Sequence, residues 1–292
     1  MRRFLIATNG VKDENLILSK KIIEYISLKG GTSKQIVGSN GNGIFYEIGD
    51  KEQFDCILAL GGDGTILKVS RDLRNLDIPI VGVNLGTLGF LAEVEPEQIY
   101  PVIDRLLADD YEMEPRMNIC GTIIKKESKD LPVKDVALND IVVTRAGFSR
   151  IIGLKIYVNE RVLDIYEADG VIIATPTGST GYNLSAGGPI VSPKTTLMIV
   201  TPISPHSLTS KSIVLSSEDE IVIEVLRMRK AQKEEAIISF DGQDGMKLSA
   251  GDRVRICKAD SVTKMVKLFD LSFYEVLREK IAPHGLKKGM DI

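Results

Sequence analysis

CILALGGDGTILKVSRDL at 56–73 sets a continuous apolar run directly against a glycine-rich turn, and the turn directly against a helical pattern. A strand without polar alternation is buried on both faces, and such strands belong to parallel sheets flanked by helices. The stretch therefore reads as one strand–turn–helix unit of an open α/β sheet. In those sheets ligands bind beyond the carboxyl ends of the strands, where glycines let backbone N–H groups approach a phosphate. Asp63 is presented at that end. The letters match neither G-x-x-x-x-G-K-[ST] nor G-x-G-x-x-G, which excludes the ordinary P-loop and the common dinucleotide fingerprint. An aspartate in such a turn also serves simply to hydrogen-bond its own loop, and both roles stand open.

Outward from this unit the pattern repeats. FLIAT (4–8) leads into Leu16, Ile17, Ile22, Ile23 and Ile26, and Gly30–Gly31 ends that helix. IPIVGVN (78–84) is a second buried strand, followed by a second glycine-rich turn, NLGTLGFL (84–91). Gly86 and Gly89 are read there either as ligand-facing backbone or as plain turn geometry. Ile99, Val102, Ile103, Leu106 and Leu107 then follow Pro96 at helical spacing. After Pro115 the texture changes to β-rich segments: NICGTIIKK, ALNDIVVTR, GLKIYVN, VIIATP, TLMIVTP, EIVIEVL, EAIISF and RVRICKA. The expected fold is an α/β amino-terminal domain over 1–107 plus an all-β carboxy-terminal domain over 108–270. LSFYEVLREKI (271–281) predicts a helix packing back on the first domain, so that 271–292 completes it. Gly38–Gly43 and Arg227–Glu235 read as loops.

At 292 residues, with 43% hydrophobic and 26% charged content, the chain has the composition of a globular protein long enough for two cores. A formal net charge of -3 and the lack of a polybasic run leave no field to draw in nucleic acid or a membrane surface. Any anionic ligand must be held locally. MRRFLIATNG carries too short an apolar run for a signal peptide or a spanning helix, so the cytoplasm is the expected location. Cys56, Cys120 and Cys257 are widely spaced within apolar runs and read as small buried hydrophobes rather than a disulfide frame or zinc site. Two histidines give a histidine-based metal site or triad little material. Catalysis falls to carboxylates and backbone.

Two further elements carry polar groups in apolar surroundings. EADGVIIATPTGSTGYNLSAGGP (167–189) passes from Asp169 through a strand into Thr177, Ser179, Thr180 and Tyr182. Hydroxyls, glycines and a short helix start can face ribose or phosphate oxygens, or Ser179 and Thr180 can simply cap the helix. Asn139–Asp140 interrupts ALNDIVVTR; at a strand end or bulge both side chains could reach a sugar, and a plain turn is the other reading.

The ordered set GGDGT (61–65), NLGTLGFL (84–91), ND (139–140), DGVIIATPTGSTGYNLSAGGP (169–189), PHSL (205–208) and DGQ (241–243) resembles the NAD kinase family. GGDGT alone is shared with lipid and sugar kinases; the order of the whole set is specific. The resemblance implies ATP and NAD as substrates, a divalent cation and a homo-oligomer, dimer or tetramer; the chain itself shows no evident Asp/Glu cage for that cation, which points to Mg²⁺ carried with ATP. It implies Asp63 as proton acceptor for the ribose 2′-hydroxyl with Gly64 beside it, Lys68 offsetting phosphate charge, and Asn139 and Asp140 at the acceptor's adenosine ribose. Asp169 and Thr180, Gly181, Tyr182, Asn183, Leu184 and Ser185 would line the dinucleotide site, with Arg150, Glu167 and Gln243 in contact. The chain departs from the family in Asp140, where Glu is usual, in Gly181, where Ala is common, and in Glu167, where the usual contact is basic. The rival readings are a lipid or sugar kinase sharing GGDGT, which would lack the TPTGSTGYNLS loop, and a non-catalytic NAD-binding sensor, which has no need of Asp63 as a base.

Overall fold

The computed structural model describes residues 1–38, 53–86, 89–127, 131–147, 151–207, 209–228, 235–243, 245–270 and 272–281. The loop expected at 38–43 lies outside them beyond Gly38, as does most of the charged stretch 227–235. The amino-terminal half comprises β1 (Arg3–Asn9), α1 (Ile17–Leu28), β2 (Thr32–Gly38), β3 (Cys56–Gly61), α2 (Asp63–Asp72), β4 (Ile80–Asn84) and α3 (Ile99–Leu107). Its strands pair in parallel in the order β2-β1-β3-β4. β3 and β4 are buried along their whole length, as their unbroken apolar runs require. Ile22 and Ile26 of α1 and Ile99, Val102, Ile103 and Leu106 of α3 pack on Phe4, Ile6, Leu58 and Leu60. Ile66 and Val69 of α2 pack on the alternate residues Leu5, Ala7, Ile57 and Ala59, on the other face. Helices thus cover both faces, and the carboxyl ends of β1, β3 and β4 lie side by side.

The rest is β5 (Glu112–Ile124), β6 (Val133–Ala137), β7 (Asp140–Arg145), β8 (Ile152–Val158), β9 (Arg161–Ala168), β10 (Gly170–Ala174), α4 (Tyr182–Ser185), β11 (Leu197–Ile203), β12 (Ile213–Ser216), β13 (Ile221–Leu226), β14 (Glu235–Phe240), β15 (Met246–Ser249), β16 (Arg253–Lys267) and α5 (Phe273–Ile281). One antiparallel sheet has the order β12-β11-β10-β7-β14-β15. The remaining strands extend the first sheet: β16 meets β4 at Met265 and Ile80 and continues through β13 and β8 to β9, with β5 and β6 alongside. Ile141, Val143, Val171, Ile173, Ile238 and Phe240 of the second sheet face Leu154, Ile156, Ile223 and Ile256 of the first, and this is the largest core.

The α/β-plus-β expectation matches this architecture, with two corrections of detail. ALNDIVVTR is two strands in different sheets, β6 and β7, because the chain turns at Leu138–Asn139. RVRICKA is only the start of the long β16, whose register shifts between Lys258 and Val262. Strands β6, β9, β12 and β15 gave no apolar run to read, since each exposes half or more of its residues at least in part. α5 reaches back to the first half: the Phe273 ring lies 6.4 Å from that of Phe90, and Lys280 Nζ sits 4.5 Å above the Phe90 ring. Among the described residues no helix is long and apolar enough to cross a membrane.

Candidate active site

The two glycine-rich turns meet at Asp63. Gly62 stands extended before α2, and Asp63 is the first helical residue. Its Oδ2 accepts the N–H of Phe90 at 2.8 Å, and its Oδ1 accepts those of Leu91 and Ala92 at 3.1 and 3.2 Å. Asp63 therefore does bond a loop, though the second turn rather than its own. Gly89 is obligatory in this contact, since a Cβ there would fall 1.7 Å from Asp63 Oδ1. A carboxylate offers about four lone-pair sites, so the three N–H donors fix the group and leave one site on Oδ2.

Leu67, one turn further along α2, lines a cavity of about 420 Å³ together with Asn139, Asp140, Val142, Thr144, Tyr182, Ser239, Asp241 and Gly242. α2 is tied to this second half by Arg71 and Arg74, which clasp Asp135 of β6 at 2.6 and 2.5 Å. The Asn139–Asp140 corner is built by Asp241. Its carboxylate accepts the N–H groups of Leu138, Asn139 and Asp140 at 2.8, 2.6 and 3.1 Å, from a backbone held at φ 50°. Asp140 has no such donors. Burial, and then the nearby Asp241 charge, push its carboxyl up to about 7. Burial also raises Asp241, to about 6, against the pull of its three N–H donors. The two form a coupled acid pair in which the donors favour charge on Asp241 and leave the proton on Asp140. Asn139 Oδ1 is buried without a partner, and a group this costly to leave unpaired beside a cavity is a candidate for a ligand's donor.

Residues 45–111 match the ATP-NAD kinase N-terminal domain and residues 138–268 the ATP-NAD kinase C-terminal domain. An NAD kinase of Lachnoclostridium phytofermentans is 46% identical over 96% of this chain and 99% of its own. The chain belongs to the NAD kinase family. Among solved structures, yeast NADH kinase complexed with NADH superposes with a TM-score of 0.83 at 23% identity, covering 100% of this chain and 90% of that one, a likeness of fold. An NAD kinase from Archaeoglobus fulgidus in complex with ATP gives 0.72 at 26% identity, covering 95% and 98%. None of these matches is a lipid or sugar kinase.

Within this NAD kinase fold the residues expected at the site divide. Asn139, Asp140 and Tyr182 line the cavity, and Gln243 directly follows Gly242, which also lines it. Gly181 stands over the corner: a Cβ there would lie 3.3 Å from Asn139 Nδ2 and 3.9 Å from Asp140 Oδ2, so its absence opens space above both. Gly64 is exposed in the first turn of α2 and Lys68 half-buried one turn later. Thr180, Leu184 and Ser185 surround Tyr182 in the chain but do not line the cavity themselves. Asn183 is fully buried, donating to Ser179 O and Pro189 O and accepting from the Thr201 hydroxyl, so its side chain is spent on holding the loop. Asp169 forms an ion pair with Arg145 at 2.6 Å, and Glu167 is exposed on β9; neither lines the cavity. Arg150 lies outside the described residues.

Two local expectations are corrected. Neither helical segment at 177–185 has a side-chain cap; the Ser179 hydroxyl instead donates to Val191 O and accepts its N–H. α4 is a single turn, too short to present much of a dipole. Asp241 was legible only as part of DGQ, and its role as the acceptor that shapes the corner needed the pairing of β14 with β7. No sequence motif above includes Lys12. It follows β1, and a signal existed in the polar TNG that ends that apolar strand.

Proposed function

We propose that the chain transfers the γ-phosphoryl group of ATP to the 2′-hydroxyl of the adenosine ribose of NAD, giving NADP. The observation that carries this reading is one cavity bordered on one side by the helix that Asp63 opens and on the other by a corner where Asp140 is buried and Asn139 Oδ1 has no partner among the described residues. Phosphoryl transfer runs through a loose transition state, so alignment and charge neutralisation matter more than strong bases. Asp63, held rigid by three main-chain donors, takes the hydroxyl proton late through the free site on Oδ2. Asp140, protonated for much of the time near neutral pH, can donate to one ribose oxygen and accept from the other hydroxyl. Asn139 Oδ1 accepts from the sugar or the base, and Tyr182 closes the cavity from the loop side.

Among the described residues no group of three or more His, Cys, Asp or Glu side chains could hold a metal ion. We assign Mg²⁺ to the triphosphate it accompanies, with no step here routed through it. Assembly into a homo-oligomer is supported by β9, an edge strand that leaves Val162 and Ile165 each 52% exposed. A cytoplasmic setting accords with the free thiols of Cys56, Cys120 and Cys257. The test is direct: purified protein with ATP, Mg²⁺ and NAD should yield NADP, measured by cycling with glucose-6-phosphate dehydrogenase. No NADP above a protein-free control would overturn the reading.

A further inference from the structure

Lys12 is placed where the first parallel strands end. β1 stops at Asn9, and Gly10 passes so close to β2 that a Cβ on it would come within 2.9 Å of Val37 Cγ1. Asn9 then folds the chain back on itself: its Oδ1 accepts the N–H groups of Val11 and Lys12 at 3.0 and 3.3 Å, and its carbonyl accepts those of Lys12 and Asp13. On the far side, buried Asp13 accepts from the Thr8 hydroxyl and from the N–H groups of Leu18 and Ser19, which anchors the turn to α1. Lys12 is thus an exposed residue on a backbone fixed from both neighbours. Its side chain extends over the adjacent strand ends. A Cβ built on Gly62 would lie 3.0 Å from Lys12 Nζ, and one on Gly86 3.2 Å, so the ammonium stands above both glycine-rich turns.

Among the described residues nothing accounts for this placement. No carboxylate among the described residues pairs with Lys12. The N–H groups of Asp63 and Gly64, at the open end of α2, have no acceptor among the described residues either. Asn84, 96% buried at the end of β4, donates to Gly86 O at 3.1 Å and so shapes the second turn. An unpaired ammonium over bare glycine turns, in front of the amino end of a ten-residue helix, is a cradle for a polyanion. The proposed function puts the acceptor's ribose between Asp63 and Asp140, on the Leu67 side of α2, and the donor's triphosphate is the polyanion that must meet it in front of Asp63.

We propose that Lys12 holds the triphosphate of the donor nucleotide over the turns at Gly62 and Gly86. This rests on the kinase reading, with Lys12 as a positioning residue that fixes the phosphates in front of Asp63. The test uses the intact protein and its Lys12→Ala and Lys12→Arg variants, titrated calorimetrically with ATP and with inorganic tripolyphosphate, alongside steady-state kinetics. Lys12→Ala should weaken both ligands about tenfold to a hundredfold and raise KM for ATP in step, with KM for NAD within about twofold of wild type. Lys12→Arg should recover part of the loss, because the positive charge returns with a different donor geometry. Tripolyphosphate binding that is absent in wild type, or equal in wild type and Lys12→Ala, would overturn the proposal. So would a rise confined to KM for NAD, which would assign Lys12 to the acceptor. A wild-type protein that makes no NADP, while Lys12→Ala still loses tripolyphosphate, would overturn the kinase reading and keep Lys12 as a phosphate-binding residue.

Discussion

Asp63, which opens the helix whose Leu67 borders the cavity, and Asp140, which lines that cavity, are built in opposite ways. Asp63 is satisfied by the protein before any substrate arrives: three N–H groups from the second glycine turn hold it, and Gly89 exists to let them approach. Asp140 is buried with no donor of its own, because the three N–H groups of its corner go to Asp241. Under the proposed function the first arrangement fixes a group that must be in place at a transition state. The second keeps a group desolvated and unsatisfied until a ligand completes it, which costs stability in the empty protein. The proposed site thus pairs a carboxylate whose partners are built in with one whose partner must be bound.

The largest expected effect breaks the first arrangement. Asp63→Asn should leave NAD binding near wild type and lower kcat by roughly a hundredfold or more, since the amide cannot take the ribose proton. Its NH₂ would also meet the Phe90 N–H donor to donor, so circular dichroism and calorimetric NAD binding should accompany the kinetics. Turnover near wild type would remove Asp63 from the chemistry. Next comes the second arrangement: Asp140→Ala should lower kcat/KM for NAD by about ten- to a hundredfold, the equivalent of losing roughly 1–3 kcal/mol of charge-assisted hydrogen bonding. Asp140→Glu should do far less harm, because the space over Gly181 admits another methylene. If both variants match wild type in kcat/KM, the corner is structural only. Smaller again, Tyr182→Ala should raise KM for NAD several-fold, on the order of the loss of one aromatic contact, and leave KM for ATP alone. Equal NAD affinity by calorimetry would return the loop to a scaffold.

Much of the first arrangement was legible because its parts are local. A buried strand, a glycine turn and a helix follow one another in CILALGGDGTILKVSRDL, and the physics of each is decided by neighbours in sequence. What could not be read was the partner of Asp63, since Phe90, Leu91 and Ala92 reach it only through the pairing of β3 with β4. The second arrangement is non-local throughout. Asn139 and Asp140 stood out as polar residues in an apolar run, yet whether they formed a turn or a site depended on Asp241, about a hundred residues away. Likewise Asn183 and Tyr182 are adjacent in one motif, but Asn183 turns inward to Thr201 and Tyr182 lines the cavity. Motif membership located the loop and did not divide its side chains between scaffold and ligand.

The smallest effect tests the cost of leaving Asp140 unsatisfied. In the unfolded chain an aspartate titrates near 3.9, whereas in the fold Asp140 is pushed up to about 7 by burial and then by the Asp241 charge, and Asp241 up to about 6 by burial. Between about pH 4 and 7 the folded state therefore holds more protons than the unfolded one, and stability must fall as pH rises through this window. The contribution is fully present below the unfolded value and gone above the folded one. Asp55 has the opposite sign, held down to about 2 by Arg3 and its neighbours' N–H groups, but its stabilisation is lost only below about pH 4, outside the window. Wild-type protein without substrates should thus melt lower at pH 8 than at pH 5. Asp140→Asn, which removes the buried charge and the repulsion of Asp241, should flatten that slope and raise the pH 8 melting temperature by about 2–5 °C. It should do so while kcat/KM for NAD falls, and that opposite movement of stability and activity is what separates a residue kept for a ligand from one kept for the fold. An Asp140→Asn protein with the wild-type slope, or one less stable at pH 8, would mean that the fold already satisfies Asp140 and that the contrast with Asp63 is wrong.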